Sequence, residues 1–144
     1  MKPPATLDGG DVLVADGRLY AGLSTRSNRE GCDQLAALTG LPVICVSLPT
    51  GLLHLLSGCT YLGRNRLLVT SSLAPRLPTF TPVVVPDAEE VAANVLVLGE
   101  HAIVPAGYPR VAALVEACGF EVHAVSTSEF ENRDGGVTCR ALLF

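Results

Sequence analysis

The sequence contains no uninterrupted apolar run approaching 18 residues, which excludes a transmembrane helix. Its start, Met1-Lys2-Pro3-Pro4, lacks the apolar core of a signal peptide. No basic run occurs and the net charge is −4, so nucleic acid is not an expected partner. The five cysteines, Cys32, Cys45, Cys59, Cys118 and Cys139, form no CxxC pair and are odd in number. Together with the missing signal, this predicts free thiols in a reducing, cytoplasmic setting. His54, His101 and His123 are scattered, with no zinc-ligand spacing, and no metal is expected. There is no low-complexity segment either, since the proline-bearing stretch from Pro75 to Pro86 is too apolar for a disordered linker.

What is present is an apolar surplus. Mean hydropathy is +0.41, high for a soluble monomer, in a chain of 144 residues that suits one domain. That surplus suits a tightly wound α/β core, or apolar surface meant for another domain or subunit.

In chain order, Val12-Leu13-Val14 and Leu19-Tyr20-Ala21-Gly22 form a hairpin about Asp16-Gly17. Ser27-Asn28-Arg29-Glu30 reads as a capping box opening a helix that runs to about Leu38, with Cys32, Leu35, Ala36 and Leu38 on its buried side. Val43-Ile44-Cys45-Val46 is a buried strand. The pattern returns in two further rounds. Leu52 to Leu62 and Arg66 to Val69 pair about Gly63-Arg64-Asn65, and a short proline-limited connection leads to Thr81–Val85. Val95–Leu98 and Ala102–Val104 then precede a helical stripe from Tyr108 to Cys118 and a strand from Val122 to Val125. The reading is α/β, in three ββαβ-like modules of about 7–48, 51–86 and 91–126, followed by a closing strand over 136–144.

Several residues could carry chemistry. Asp134-Gly135-Gly136 is a turn able to bring backbone close to a ligand, and the β-branched Val137-Thr138 predict an extended mounting for Cys139. Cys139 is a candidate nucleophile or a small core hydrophobe. His54, in the apolar stretch Gly51–Leu56, is a core histidine or an acid/base group projected from a strand. Asp8 is a turn residue or a carboxylate aimed at a cation, and Arg26 is solvated or grips a substrate carboxylate. His101 lies in a hairpin turn and His123 within a strand, neither with a nameable partner.

As a set, these motifs resemble a known family. Leu7-Asp8-Gly9-Gly10-Asp11-Val12-Leu13, Gly22-Leu23-Ser24-Thr25-Arg26-Ser27-Asn28, Leu53-His54-Leu55, Val85-Pro86-Asp87 with Ala92-Ala93-Asn94, Ser126-Thr127-Ser128-Glu129, and Asp134–Cys139 stand in the order found in dimethylarginine dimethylaminohydrolases. These are members of the pentein, or amidinotransferase-like, superfamily. The resemblance covers nearly the whole chain and implies a catalytic cysteine at Cys139, a histidine at His54 and an acidic partner at Asp8. It also implies Arg26 on the substrate α-carboxylate and the Arg133 carbonyl near the α-amino group. The family fold is a propeller of five ββαβ modules. This chain would supply about three, a partial pentein domain beginning where the family's second half begins.

The activity implied is hydrolysis of N-omega-methylated arginine to citrulline and methylated amine through a covalent cysteine intermediate, without metal or organic cofactor. The missing half, or a homo-oligomer, would complete the ring. Two alternatives stand beside it: a non-catalytic module acting through an exposed edge, and another guanidine-modifying enzyme such as an arginine deiminase. Deiminases and amidinotransferases of the superfamily typically carry His-Leu-Asp, whereas Leu56 fills the third position here. That favours the dimethylargininase branch.

Overall fold

The computed structural model describes residues 1–127 and 136–141. Within them the chain forms three separate three-stranded sheets, each built the same way. The first contains β1 (Val12–Ala15), β2 (Arg18–Leu23) and β3 (Val43–Ser47). The second contains β4 (Cys59–Gly63), β5 (Arg66–Val69) and β6 (Thr81–Val84). The third contains β7 (Leu96–Leu98), β8 (His101–Pro105) and β9 (Glu121–Val125). In each, an antiparallel hairpin is followed by a crossover that adds the third strand in parallel. Helix α1 (Arg29–Thr39) makes the first crossover and α2 (Pro109–Ala117) the third. The second crossover holds only the 3-10 turn Ala74–Arg76, with Pro75 inside it, because proline denies a helix the amides it needs.

Local chemistry explains the boundaries. Asp16 and Gly17 take positive φ (47° and 72°), as a two-residue hairpin of matching twist demands. Helix α1 is capped by Asn28, whose Oδ1 accepts from Gly31 N at 2.9 Å, and not by Ser27 as the capping-box reading expected. Ser27 is otherwise engaged, donating its hydroxyl to the buried Asp11. The buried side of α1 is also narrower than expected, since Leu38 is 74% exposed and Cys32 is the fully buried contact. Helix α2 starts with Pro109 at its first turn, and the Glu89 carboxylate accepts from Val111 N at 2.9 Å, neutralising free amides and the positive helix end.

Alternation along β5 ties the sheets together. Leu67 and Val69 point into a core shared with Leu13, Tyr20 and Val46 of the first sheet. Leu68, on the opposite face, joins a second core with Val95, Val104, Val111 and Val115 of the third. The three sheets therefore pack in chain order, with β5 of the second buried on both faces while its edge strand β6 stays largely exposed. No helix of the described residues is long and apolar enough to cross a membrane.

The expected strand from Leu52 to Leu62 is shorter. Pairing starts only at Cys59, and Leu55–Ser57 form a 3-10 turn with His54 at its N-cap. The closing strand over 136–144 is also not found where the residues are described. Val137 is helical (φ −59°, ψ −41°) and Thr138–Arg140 form a 3-10 turn. Residues 142–144 lie outside the described part.

Leu67 is 1% exposed, so Leu67→Ala should cost about 2–5 kcal/mol by urea denaturation. Leu38→Ala, by contrast, should stay within about 0.5 kcal/mol of the parent. A large loss at Leu38 would mean that its helix face is covered in solution.

Candidate active site

A buried carboxylate anchors the site. Asp11 is 0% exposed and ends the 3-10 turn Gly9–Asp11 that leads into β1. Its Oδ2 accepts from the hydroxyls of Ser24 (2.6 Å) and Ser27 (2.7 Å), and its Oδ1 accepts from the amide of Leu55 (3.0 Å). These bonds offset the desolvation of a buried charge. They also pin the Ser24–Ser27 loop and the His54–Leu55 segment to the glycine turn. The Nδ1 of His54 lies 3.4 Å from Asp11 Oδ2 and, though buried, makes no hydrogen bond. Sequence reasoning singled out Asp8 and took Asp11 only as part of the motif around it; the two serines at Ser24 and Ser27 were its available signal.

Asp8 caps the same turn, its Oδ1 accepting from Gly10 N at 2.9 Å. Its Oδ2 lies 3.4 Å from Nη1 of the largely exposed Arg26. The Gly10 amide, with His54 and Arg26 adding to it, holds the Asp8 carboxyl below its ordinary 3.8 despite some desolvation. Gly10 brings Asp8 and His54 together. A Cβ there would stand 3.0 Å from the His54 ring and 3.4 Å from Asp8 Oδ1, so a side chain would wedge them apart.

Cys139 and His54 line one cavity of about 480 Å³, along with Gly10, Leu56, Asn94 and Thr127. Asp8 and Arg26 are not among its lining residues, although Asp8 neighbours Gly10, which is. The Cys139 thiol is exposed, within a short turn rather than on the expected strand. Asn94 sets that turn. Its Nδ2 donates to the Leu56 carbonyl and to Thr138 Oγ1, both at 2.8 Å, and its Oδ1 accepts from Thr138 N at 3.0 Å. One buried amide thus couples the neighbour of Cys139 to the segment bearing His54. Thr60 fixes Asn94 from both sides, donating to the Ala93 carbonyl and accepting from Val95 N. Gly136 must lack a side chain, because a Cβ would come within 2.5 Å of Asn94 Oδ1. Arg133 lies outside the described residues.

The other thiols differ from expectation in part. Cys32 and Cys59 are buried, whereas Cys45 and Cys118 are half-buried; all are unpaired. Burial pushes Cys59 up to about 12. Burial does the same to Cys32, also to about 12, helped by a hydrogen bond with the Cys45 thiol.

Scanned against models of known protein families, the chain matches none. Individual relatives are clear. The chain is 36% identical to N(G),N(G)-dimethylarginine dimethylaminohydrolase of Pseudomonas aeruginosa, over 100% of its own length and 58% of the relative. It is 37% identical to the enzyme of the same name from Streptomyces coelicolor, over 94% of its length and 54% of that protein. A solved structure of the Pseudomonas protein, a cysteine-to-serine variant in complex with citrulline, superposes with a TM-score of 0.92 at 36% identity, covering 99% of this chain and 58% of that one. Over nearly its whole length the chain is similar to dimethylarginine dimethylaminohydrolases. It spans a little over half the length of these dimethylargininases. Beyond them, an amidinotransferase from Microseira wollei shares the fold at 18% identity, with a TM-score of 0.84 over 97% of this chain and 50% of the other. The mixed α/β pentein-like fold extends past the dimethylargininases.

Two outcomes follow from this geometry. Because the Asp8 pKa is lowered on folding, the unfolded chain binds more protons, and stability should rise with pH through that range. The contribution is present above Asp8's ordinary pKa and lost as pH falls through the folded value. Asp8→Asn should therefore flatten the fall of the thermal midpoint between about pH 5 and 3; an unchanged slope would show that Asp8 gains nothing on folding. Iodoacetamide at neutral pH should modify Cys139 first and Cys32 and Cys59 last, read by peptide mapping. Labelling of Cys59 as fast as Cys139 would contradict the burial described above.

Proposed function

We propose that this chain carries the reacting groups of a dimethylargininase, hydrolysing N-omega-methylated arginine to citrulline and a methylated amine, with Cys139 as nucleophile. The observation that carries this reading is the meeting of Cys139 and His54 in one cavity, with Asp8 across the side-chain-free Gly10. The Cys139 thiolate attacks the guanidinium carbon, forming a C–S bond. His54 gives its proton to the departing dimethylamine as the C–N bond breaks, leaving an amidino-thioether. His54 then takes a proton from water, whose oxygen attacks the same carbon. Expulsion of the thiolate releases citrulline. While His54 is the charged acid, its positive charge faces the Asp11 carboxylate 3.4 Å away.

Asp8 holds the guanidinium in this reading, accepting its N–H groups and fixing the plane that the thiolate must approach. The Arg26 guanidinium beside Asp8 supports the choice, because it is the same chemical group as the substrate head. A substrate would take that place and free Arg26 for the α-carboxylate. The Arg133 carbonyl is assigned to the α-amino group. Leu56 lines the cavity, and its side chain offers no hydrogen-bond acceptor to an unsubstituted guanidinium, which suits methylated nitrogens better than a deiminase substrate. The three sheets are read as part of a five-module propeller, and further substrate contacts would come from outside this chain.

The test is citrulline release from dimethylarginine, run with an electrophilic amidine as a covalent probe that needs no complete pocket. The amidine should modify Cys139, and dimethylarginine should protect it. Cys139→Ser should abolish citrulline formation, and His54→Ala should lower it by about 10²–10⁴-fold with the thermal midpoint nearly unchanged. Citrulline made equally by Cys139→Ser, or labelling indifferent to dimethylarginine, would remove the cysteine from the reaction.

A further inference from the structure

His101, Glu121 and His123 meet on the third sheet, far apart in sequence but adjacent in its parallel register. His101 stands opposite Glu121 and Ile103 opposite His123 across β8 and β9. The neighbouring Ala102 and Val104 turn into the second core, so alternation sends His101 to the opposite face of β8. His101 Nδ1 lies 3.1 Å from His123 Nε2. The Glu121 carboxylate spans the pair, with Oε2 at 3.4 Å from His101 Nδ1 and Oε1 at 3.6 Å from His123 Nε2.

We propose that these three side chains form a surface site for a divalent transition metal, with zinc the ion that suits it best. The argument is geometric. Ligand bonds of about 2.0–2.1 Å at tetrahedral angles put donor atoms about 3.3–3.5 Å apart. The two imidazole nitrogens, 3.1 Å apart, are close to that edge length. Glu121 approaches each through a different oxygen, at 3.4 and 3.6 Å, and one donor atom from each of the three residues lies within 4.8 Å of the others, so a modest turn of the exposed Glu121 carboxylate would bring one oxygen to the third corner. Two imidazoles and one carboxylate are a borderline donor set, which fits zinc rather than calcium or magnesium. All three side chains are about half exposed or more, leaving the fourth corner to water or to a ligand from solvent. Bound metal would clasp β9, the last strand of its sheet, to β8 and so resist local opening at that edge. The site is separate from the cavity holding Cys139, none of its residues lining that cavity. It does not depend on the proposed reaction.

The competing arrangement is a plain hydrogen bond between two imidazoles, one donating to the other, with Glu121 as an exposed neighbour. Calorimetric titration of the chelator-treated chain with zinc chloride separates the two. The titration should be run in a Cys139→Ser background, so that the exposed thiol contributes nothing. One equivalent should bind with a micromolar or tighter dissociation constant and raise the thermal midpoint. His101→Ala and His123→Ala should each weaken binding by at least about 10–100-fold, since even the loss of an outer partner of a ligand costs that much. Both positions are exposed, and circular dichroism should show both variants folded. Cobalt in place of zinc should give the visible bands of a tetrahedral ion without a thiolate charge-transfer band. No zinc uptake, or uptake unchanged in both histidine variants, would leave only the hydrogen-bonded pair.

Discussion

The candidate site depends on one interaction, the burial of the Asp11 carboxylate among two hydroxyls and an amide. A charge removed from water is tolerated only where each lone pair finds a donor, so Asp11 dictates its surroundings. Ser24 and Ser27 must turn inward, which sets the path of the loop carrying Arg26. The amide of Leu55 must point back at the glycine turn, which sets His54. Ser27 then accepts from the Asp8 amide and cannot also cap α1, so the capping duty moves to Asn28. A side chain that touches no substrate in the proposed reaction thereby places three that do.

A second regularity follows from the repeat. Asp8 and Asp11 immediately precede β1, His54 and Leu55 precede β4, and Asn94 precedes β7. These are equivalent places in the three sheets, each the loop that enters the hairpin. Because the sheets stack with their entry loops gathered at one end, residues some 40 positions apart converge there without any long loop reaching across. The repeat does for the site what a single strand's alternation does for a core. It turns a periodic sequence into a spatial cluster.

Much of this was legible before the structure. Hairpin turns at Asp16-Gly17 and Arg64-Asn65, continuous apolar runs, and the stripe through Val111 and Val115 report local chemistry that tertiary packing only reinforces. The order of the motifs pointed to the dimethylargininases, and of the residues it singled out Cys139 and His54 line one cavity while Asp8 does not. What stayed hidden depended on partners distant in sequence. Ser27 looked like a cap because its competitor, Asp11, lies 16 residues upstream. The Leu52–Ser57 stretch looked like a strand because apolar content does not reveal that its backbone turns to serve Asp11. Leu38 matched the helical stripe but is left exposed near the end of α1. The pairing of His101 with His123 had no spacing to betray it, since only the parallel register of β8 and β9 brings them together.

The two-faced strand β5 bears on how the molecule opens. Leu67 and Val69 belong to one core and Leu68 to the other, so neither interface can loosen without disturbing the same four-residue strand. The groups around Cys139 are divided across those interfaces, with Asp11 and His54 toward the first and Asn94 toward the second. Thermal openings that would misalign the thiol and the imidazole must therefore break both cores together. Amide protons of β5 should be the slowest in the chain to exchange, and the alignment of the reacting groups inherits that cooperativity instead of resting on the stiffness of their own loops.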